Sequence, residues 1–374
     1  MIYLDNAATT KPNNEAISLA NVFNDANFFN PSALYRGGLN NARAIKEAKE
    51  DILKFIGADS SFELIFTSCG TESNNQAIFS CVKRGVFVTD KGEHASVYKS
   101  FLELKNRGLE VFFIDIKKDG SINEDCLFAL AREKKIDFLS IIHVNNETGA
   151  INDVNSIARK LKQINPKTIV HVDGVQAFLK INYRIDPSID LYSVSAHKIG
   201  GLKGVGALIK KKNLHVNPLI IGGGQENNLR SGTENIFGIK VFQYASNIKN
   251  QTKNIDIENV GIVKQYFIDN LDKETFKIIS GENSSPYILT VSAVGLRGEV
   301  VMHSLEEENI IVGNGSACSS KNRFSRVIEA CGYENSVLDG VIRISFSNET
   351  TLDDAKIAVQ KFNEICNRLK RIMK

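Results

Sequence analysis

Lys198 stands in the segment Ser195-Ala196-His197-Lys198, 25 residues after Asp173, which ends the apolar, β-branched run Thr168-Ile169-Val170-His171-Val172. A lysine amine condenses with an aldehyde to form a Schiff base, and a carboxylate holds a pyridinium nitrogen protonated. Together they are what a protein supplies to use pyridoxal phosphate as an electron sink. That chemistry needs three further parts: a phosphate cradle, a group that stacks on the ring, and a clamp for the substrate carboxylate. The chain offers a candidate for each.

Thr67-Ser68-Cys69-Gly70-Thr71-Glu72-Ser73 follows the apolar run Leu64–Phe66 and opens a helix-like stretch. Backbone N–H groups at a helix N-terminus, joined by small hydroxyls, form an anion site. On this cluster alone, plain helix capping by Ser or Thr is the favoured reading. Ser195 and His197 add two donors beside Lys198. His94, in Glu93-His94-Ala95-Ser96, can stack on a ring and move protons, although a lone histidine is ordinarily structural. His143, His171, His215 and His303 receive no task. Asn145-Asn146-Glu147 ends a strand-like run, where the amides bind an oxygen or cap a turn. Gln176 lies three residues past Asp173, on the same side if a helical turn begins there. Gly222-Gly223-Gly224 with Arg230-Ser231-Gly232-Thr233 is a glycine-rich loop whose Arg and Thr suit a phosphate or a carboxylate. Arg343 sits inside the apolar strand Val341–Phe346, where a charge requires a partner. A bidentate substrate carboxylate supplies one; so does an internal Asp or Glu.

Gly313-Asn314-Gly315-Ser316-Ala317-Cys318-Ser319-Ser320 is the second sharp feature. Cys318 has no apolar neighbours to bury it, the setting of a nucleophilic thiol. Cys69, Cys81, Cys126, Cys331 and Cys366 lie in or beside apolar segments and read as inert. The six cysteines include no CxxC pair, which argues for a reducing cytoplasm and against a zinc site or a disulfide framework.

The elements that must position these groups follow from patterning. Hydrophobic content of 43% and charged content of 24% are ordinary for a globular enzyme, and 374 residues suit one large and one smaller domain. The net charge of +3 is interspersed and no basic stripe with aromatics appears, so nucleic acid is not an expected ligand. No apolar run approaches a membrane span or an export signal. Residues 12 to 57 read as two helices broken near Asn30-Pro31, the second burying Ala42, Ile45, Ala48, Ile52 and Ile56 and stopping at Gly57. Seven short apolar runs between Glu63 and Ile209 alternate with helical stretches. They predict a mostly parallel seven-stranded sheet covered by helices, with ligands beyond the strands' carboxyl ends. The predicted division is a large domain over 12–255 and a small α+β domain from 1–11 with 256–374. In the small domain the strand-like Tyr287–Ala293 and Val341–Phe346 alternate with helices at Glu299–Glu308 and over Ala358, Phe362, Ile365 and Leu369.

Taken together the chain resembles the cysteine desulfurases, enzymes of the class V aminotransferase family with the fold type I of pyridoxal phosphate enzymes. The resemblance rests on Tyr3-Leu4-Asp5-Asn6-Ala7-Ala8-Thr9-Thr10, Asn30-Pro31-Ser32, Thr71-Glu72-Ser73-Asn74, His94, His143-Val144-Asn145-Asn146-Glu147, His171-Val172-Asp173, Gln176, Ser195–Lys198, Arg230–Thr233, Gly315-Ser316-Ala317-Cys318 and Arg343, in the family's order. It implies that Lys198 carries the cofactor, Asp173 holds the pyridinium nitrogen, His94 stacks on the ring, and Gln176 with Asn146 binds the phenolic oxygen. Gly70, Thr71, Ser195 and His197 would bind the phosphate, and Thr233 would reach the phosphate of a partner subunit in a homodimer. Arg343, with Asn30 and Asn146, would bind the substrate, and Cys318 would accept the sulfur of L-cysteine, leaving alanine. The Gly-Ser-Ala-Cys form matches the group with the longer cysteine loop. Tyr35 and Leu202 depart from the family's usual His and Pro. Only 31 residues follow Arg343, where relatives serving iron–sulfur scaffolds often carry a longer docking tail, so a tRNA-thiolation acceptor is as natural an expectation as a scaffold. A selenocysteine lyase or another class V enzyme is the alternative reading.

Overall fold

The computed structural model describes residues 1–81, 84–313 and 323–372. Asn314, Gly315, Cys318 and Ser320 therefore lie outside the described residues, and so does the motif that carries the proposed thiol. The chain opens on a short strand, β1 (Ile2–Leu4). Seven strands then form one sheet: β2 (Phe62–Thr67), β3 (Val86–Asp90), β4 (Glu110–Ile114), β5 (Phe138–Ile142), β6 (Ile169–Asp173), β7 (Leu191–Ser195) and β8 (Gly206–Lys211). Their order is β2-β8-β7-β6-β5-β3-β4. Only β8 runs against its neighbours; β3 to β7 are parallel. The near-continuous burial of β5 and β7 explains why these strands read as unbroken apolar runs: helices cover both faces. One face packs Phe87, Phe101 and Phe138 with ring centroids 5.8 to 6.4 Å apart, a spacing that favours tilted aromatic pairs.

The N-terminal helices differ from expectation. The first is short, Asn14–Ala20, followed by one turn over Val22–Asp25, and the long helix is Arg36–Phe55. Ile45, Ala48 and Ile52 face the core, but Ala42 is exposed and Asn41 is buried in its place. Asn41 Nδ2 donates to the carbonyls of Asn27 and Phe29 at 2.6 and 2.7 Å. The stripe has shifted because the incoming loop offers carbonyls that only a polar side chain can satisfy. Gly57 ends the helix region at φ +72°, the left-handed conformation that glycine adopts at little steric cost.

A 35-residue helix, Ile236–Asn270, joins the two cores. Ile239, Val241 and Phe242 belong to the core beside the large sheet. Val260, Val263 and Phe267 belong to a second core with β9 (Phe276–Ile278), β10 (Ile288–Ala293), β11 (Ile310–Val312) and β12 (Val341–Ser345). β12, β10 and β9 pair antiparallel, and β1 returns to lie parallel with β11. The last helix, Leu352–Ile372, closes this core with Ala358, Phe362 and Ile365. The strand β9 and the short helices Arg326–Ala330 and Asn335–Leu338 had no sequence expectation. Among the described residues, no helix is long and apolar enough to cross a membrane.

Candidate active site

Asp173 is the last residue of β6 and Ser195 the last of β7. Gly70 opens a twelve-residue helix after β2, His94 follows β3, and Asn146 follows β5. These strands run in one direction, so their carboxyl ends share one edge of the sheet, where α/β folds place ligands.

His94 and Asp173 are joined through residues the sequence reading left without a task. Asn74 Nδ2 donates to Asp173 Oδ2 and to Ser96 Oγ, each at 2.8 Å. Ser96 Oγ lies 2.8 Å from His94 Nδ1, and the Ser96 N–H donates to that nitrogen at 3.2 Å. A ring nitrogen that accepts from a backbone N–H carries no proton, so the neutral ring is protonated at Nε2. Burial lowers the His94 pKa from its ordinary value. Lys198, Arg326 and Arg343 act in the same direction, and Asp173 opposes them. The imidazole is therefore uncharged at neutral pH, as suits a flat stacking group.

Lys198 follows Ser195 on a single 3-10 turn, Ala196–Lys198. Its Nζ donates to the carbonyls of Ala7 and Ala8 at 2.6 and 2.7 Å. It lines a cleft of about 500 Å³ shared with Thr9, Lys180, Lys249 and Tyr287. His197 Nδ1 lies 3.1 Å from Thr9 Oγ1, and burial, with Lys198, Lys180 and Lys203, pulls its pKa down to about 4. Gln176 does sit on a helical turn, and its Nε2 donates to the Ala7 carbonyl at 2.8 Å.

Arg343 is buried, and the internal ion pair is the arrangement seen: Nη2 donates to Asp5 Oδ1 at 2.8 Å and Nη1 to the Asn146 carbonyl at 2.9 Å. Its Nε is buried without a hydrogen-bond partner among the described residues. Gly313 pairs with Arg343 through two backbone hydrogen bonds. A Cβ at Gly313 would lie 2.5 Å from Asp5 Oδ1 and 3.0 Å from Arg343 Nη2, so a larger residue there would have to displace the ion pair.

One expectation is redirected. Arg230 pairs with Glu72, Nε to Oε1 at 2.9 Å, so a side chain of the protein itself takes the role left open to a phosphate or carboxylate. Asn30 is exposed and its Oδ1 accepts from the Ser32 N–H at 2.9 Å; no hydrogen bond among the described residues joins it to the cluster. Thr233 and Thr71 are exposed as well. His143 and His171 are buried, the latter bridging Ser140 and Ser193 at 2.9 and 3.0 Å. Burial drives both pKa values down to about 3.

The residues fit pyridoxal phosphate. Ser195 Oγ and Asn146 Oδ1 are buried without a hydrogen-bond partner among the described residues. Buried polar atoms are ordinarily satisfied, and a phosphate and a phenolic hydroxyl would satisfy these. Gly70 presents helix N–H groups on the same side, with Ser195 Cβ 3.5 Å from where a Gly70 Cβ would stand.

Glu147 closes the site toward Ser325, whose Oγ donates to Glu147 Oε2. Burial raises the Glu147 pKa to about 7, against the lowering effects of Ser325, Arg343 and Arg326. A raised carboxyl favours folding fully below its unfolded value near 4.5 and loses that contribution as pH rises through 7. The gap corresponds to about 3 kcal/mol. Glu147→Gln is expected to match the wild type in melting temperature near pH 4.5 and to exceed it at pH 8. Parallel curves across that range would refute the buried, protonated carboxyl.

Residues 2–357 match the family model for aminotransferase class-V. The chain is 35% identical to the cysteine desulfurase IscS of Dictyoglomus turgidum, over 99% of this chain and 96% of that protein. A solved NifS-like protein superposes with a TM-score of 0.91 at 30% identity, covering 98% of this chain and 99% of the other. A second, described as SspA in complex with cysteine, superposes with a TM-score of 0.81 at 28% identity over 93% and 99% of the two chains. The chain belongs to the class V aminotransferase family, among its cysteine desulfurases.

Proposed function

We propose that this chain removes sulfur from L-cysteine, giving L-alanine and a persulfide on Cys318. The observation that carries the reading is the grouping of Lys198, the His94–Ser96–Asn74–Asp173 chain and the Arg343 fork at one edge of the sheet. Pyridoxal phosphate, when bound, supplies an electron sink that labilises the bonds around the substrate's α- and β-carbons.

The chain's own residues do the rest. Lys198 would hold the cofactor aldehyde through Nζ, and its amine would take the proton from the substrate Cα. Asp173 would keep a proton on the pyridinium nitrogen, and Asn74 fixes the carboxylate's orientation. His94 presents its uncharged face to the ring. Ser195, His197, Gly70 and Thr71 hold the phosphate, joined by Thr233 of the partner subunit in a homodimer. Asn146 and Gln176 bind the phenolic oxygen. Arg343 orients the substrate carboxylate, with Asn146 and Asn30 completing the substrate subsite. The Cys318 thiolate attacks the substrate sulfur: an S–S bond forms, the substrate C–S bond breaks, and its electron pair takes up a proton to complete alanine. Cysteine plus thiol thus equals alanine plus persulfide.

Exposed apolar residues support the dimer. Leu34 is 90% and Ile221 86% exposed, with Phe28 and Tyr35 nearby in sequence, the kind of surface that a second copy covers. The division into 12–255 and 1–11 with 256–374, a cytoplasmic location, and delivery of sulfur to a scaffold or tRNA-thiolation protein belong to the same reading. The described cysteines are all unpaired, in keeping with a reducing compartment.

The test is incubation of the protein with pyridoxal phosphate and L-cysteine, followed by intact mass and assays for alanine and sulfide. One added sulfur on the Cys318 peptide, with matching alanine, is expected. Alanine without a sulfur adduct would sink the proposal.

A further inference from the structure

Lys180 is a buried lysine that the mechanism above does not use. It lies on the turn after Asp173, 4% exposed, and borders the cleft that Lys198 lines. Its Nζ donates to Gln176 Oε1 at 3.1 Å and sits 5.8 Å from the Tyr287 ring centroid. Among the described residues no carboxylate is within ion-pair distance of it; Lys249, the neighbouring amine, takes Asp256 at 2.8 Å. Burial, followed by Lys198, Lys249 and Arg343, pulls the Lys180 pKa well below the usual lysine value. A core position that tolerated any long side chain would favour methionine, which avoids this desolvation.

The hydrogen-bond geometry gives the amine a task. A lysine Nζ in either protonation state donates here, and the Ala7 carbonyl only accepts. Gln176 is held between them: Oε1 faces Lys180 and Nε2 faces Ala7 at 2.8 Å. Turning the amide over would set C=O against the Ala7 C=O, and N–H against the N–H of a protonated Lys180. The orientation of Gln176 is thus fixed by its two partners. The Ala7 carbonyl also receives Lys198 Nζ at 2.6 Å, so one chain of contacts runs from Lys180 through Gln176 and Ala7 to the cofactor-bearing amine.

We infer that Lys180 is a positioning residue for the cofactor: by donating to Gln176 Oε1 it commits the Gln176 NH₂ group to the phenolic oxygen of pyridoxal phosphate and strengthens it as a donor. This rests on the cofactor reading proposed above. An amide whose oxygen already accepts a hydrogen bond is a better donor through its nitrogen. A better donor at the phenolic oxygen stabilises its anionic form. That lowers the basicity of the nitrogen linking the cofactor to Lys198.

The experiment uses the full-length protein loaded with pyridoxal phosphate. Lys180→Met, Gln176→Ala and the double variant are compared with wild type by pH titration of the bound cofactor's visible absorption and by cofactor affinity of the stripped protein. Lys180→Met is expected to move the titration midpoint upward by about one pH unit and to weaken cofactor binding about tenfold, the equivalent of one hydrogen bond to a charged group. Adding Lys180→Met to Gln176→Ala is expected to change neither quantity further, because the lysine acts only through the amide. A Lys180→Met protein that titrates and binds like wild type overturns the inference. So does a shift of equal size in the Gln176→Ala background. If Lys180→Met does not fold, Lys180→Gln is read in the same assays with the same expected directions. Loss of fold in both would assign Lys180 to the core and overturn its positioning role. Wild-type protein that takes up no pyridoxal phosphate overturns the proposed function itself; normal wild-type uptake with unshifted variants overturns only the role of Lys180.

Discussion

Cys318→Ala is expected to bind pyridoxal phosphate as the wild type does and to release sulfide from L-cysteine at least about a thousandfold more slowly, the scale of removing a catalytic nucleophile. Every residue assigned to hold the cofactor lies on another segment, so the colour and affinity of the loaded protein should persist. No buried thiol can substitute. Burial pushes Cys81, Cys331 and Cys366 up to about 12, leaving a thiolate fraction on the order of one in ten thousand at pH 8. The nearest competitor by position is Cys69, at the foot of the helix Gly70–Cys81, where Ser68 Oγ donates to its sulfur at 3.7 Å. Sulfide release and peptide mass are measured together. Undiminished release, with sulfur found on the Cys69 peptide, would remove Cys318 from the mechanism.

Lys198→Ala is expected to abolish turnover, by on the order of 10⁴-fold or more, because the proposed mechanism gives one side chain both the attachment of the cofactor and the movement of the substrate proton. The decisive readout is covalent. Borohydride treatment of the loaded wild type should fix the cofactor to the peptide containing Lys198, and the variant should yield no fixed adduct. Lys180 is the obvious stand-in, since it lines the same cleft. Its Nζ is engaged by Gln176 Oε1 at 3.1 Å. An adduct recovered on Lys180 from the wild type would contradict that assignment.

Much of this was legible in the chain. The seven strand runs were readable because a sheet covered on both faces needs apolar residues at every position, and β5 and β7 are buried throughout. Asp173, Ser195 and His94 were readable because they interrupt or follow such runs at the carboxyl ends. What escaped were relations between distant residues. Asp5 meets Arg343 across 338 positions, and nothing local in the strand Val341–Ser345 says which acid will be its partner. Asn74 and Ser96 look like ordinary polar residues on two helices until the sheet brings both helices over Asp173. Asn41 displaced Ala42 from the buried stripe because loop carbonyls 12 and 14 residues away needed donors, a demand that periodicity does not register. Lys180 was invisible for a similar reason: its meaning lies in the amide it faces.

The packing of Gly313 against the Asp5–Arg343 pair makes it a fixed anchor at one end of the segment that carries Cys318. The other end is held at Arg323, whose guanidinium meets Asp339 through two hydrogen bonds of 3.0 and 2.7 Å. Cys318 lies five residues from each anchor, and five extended residues span at most about 18 Å. Covalent geometry alone therefore limits how far the backbone at position 318 can lie from each anchor, and the side chain adds only its own length. In the role proposed for it, the thiol would meet bound substrate as a tethered reactant, at an effective concentration that the tether sets and solution thiols do not share. The same radius bounds delivery. On the proposed function, an acceptor would have to bring its sulfur-receiving group within that reach, near the surface around Gly313 and Arg323.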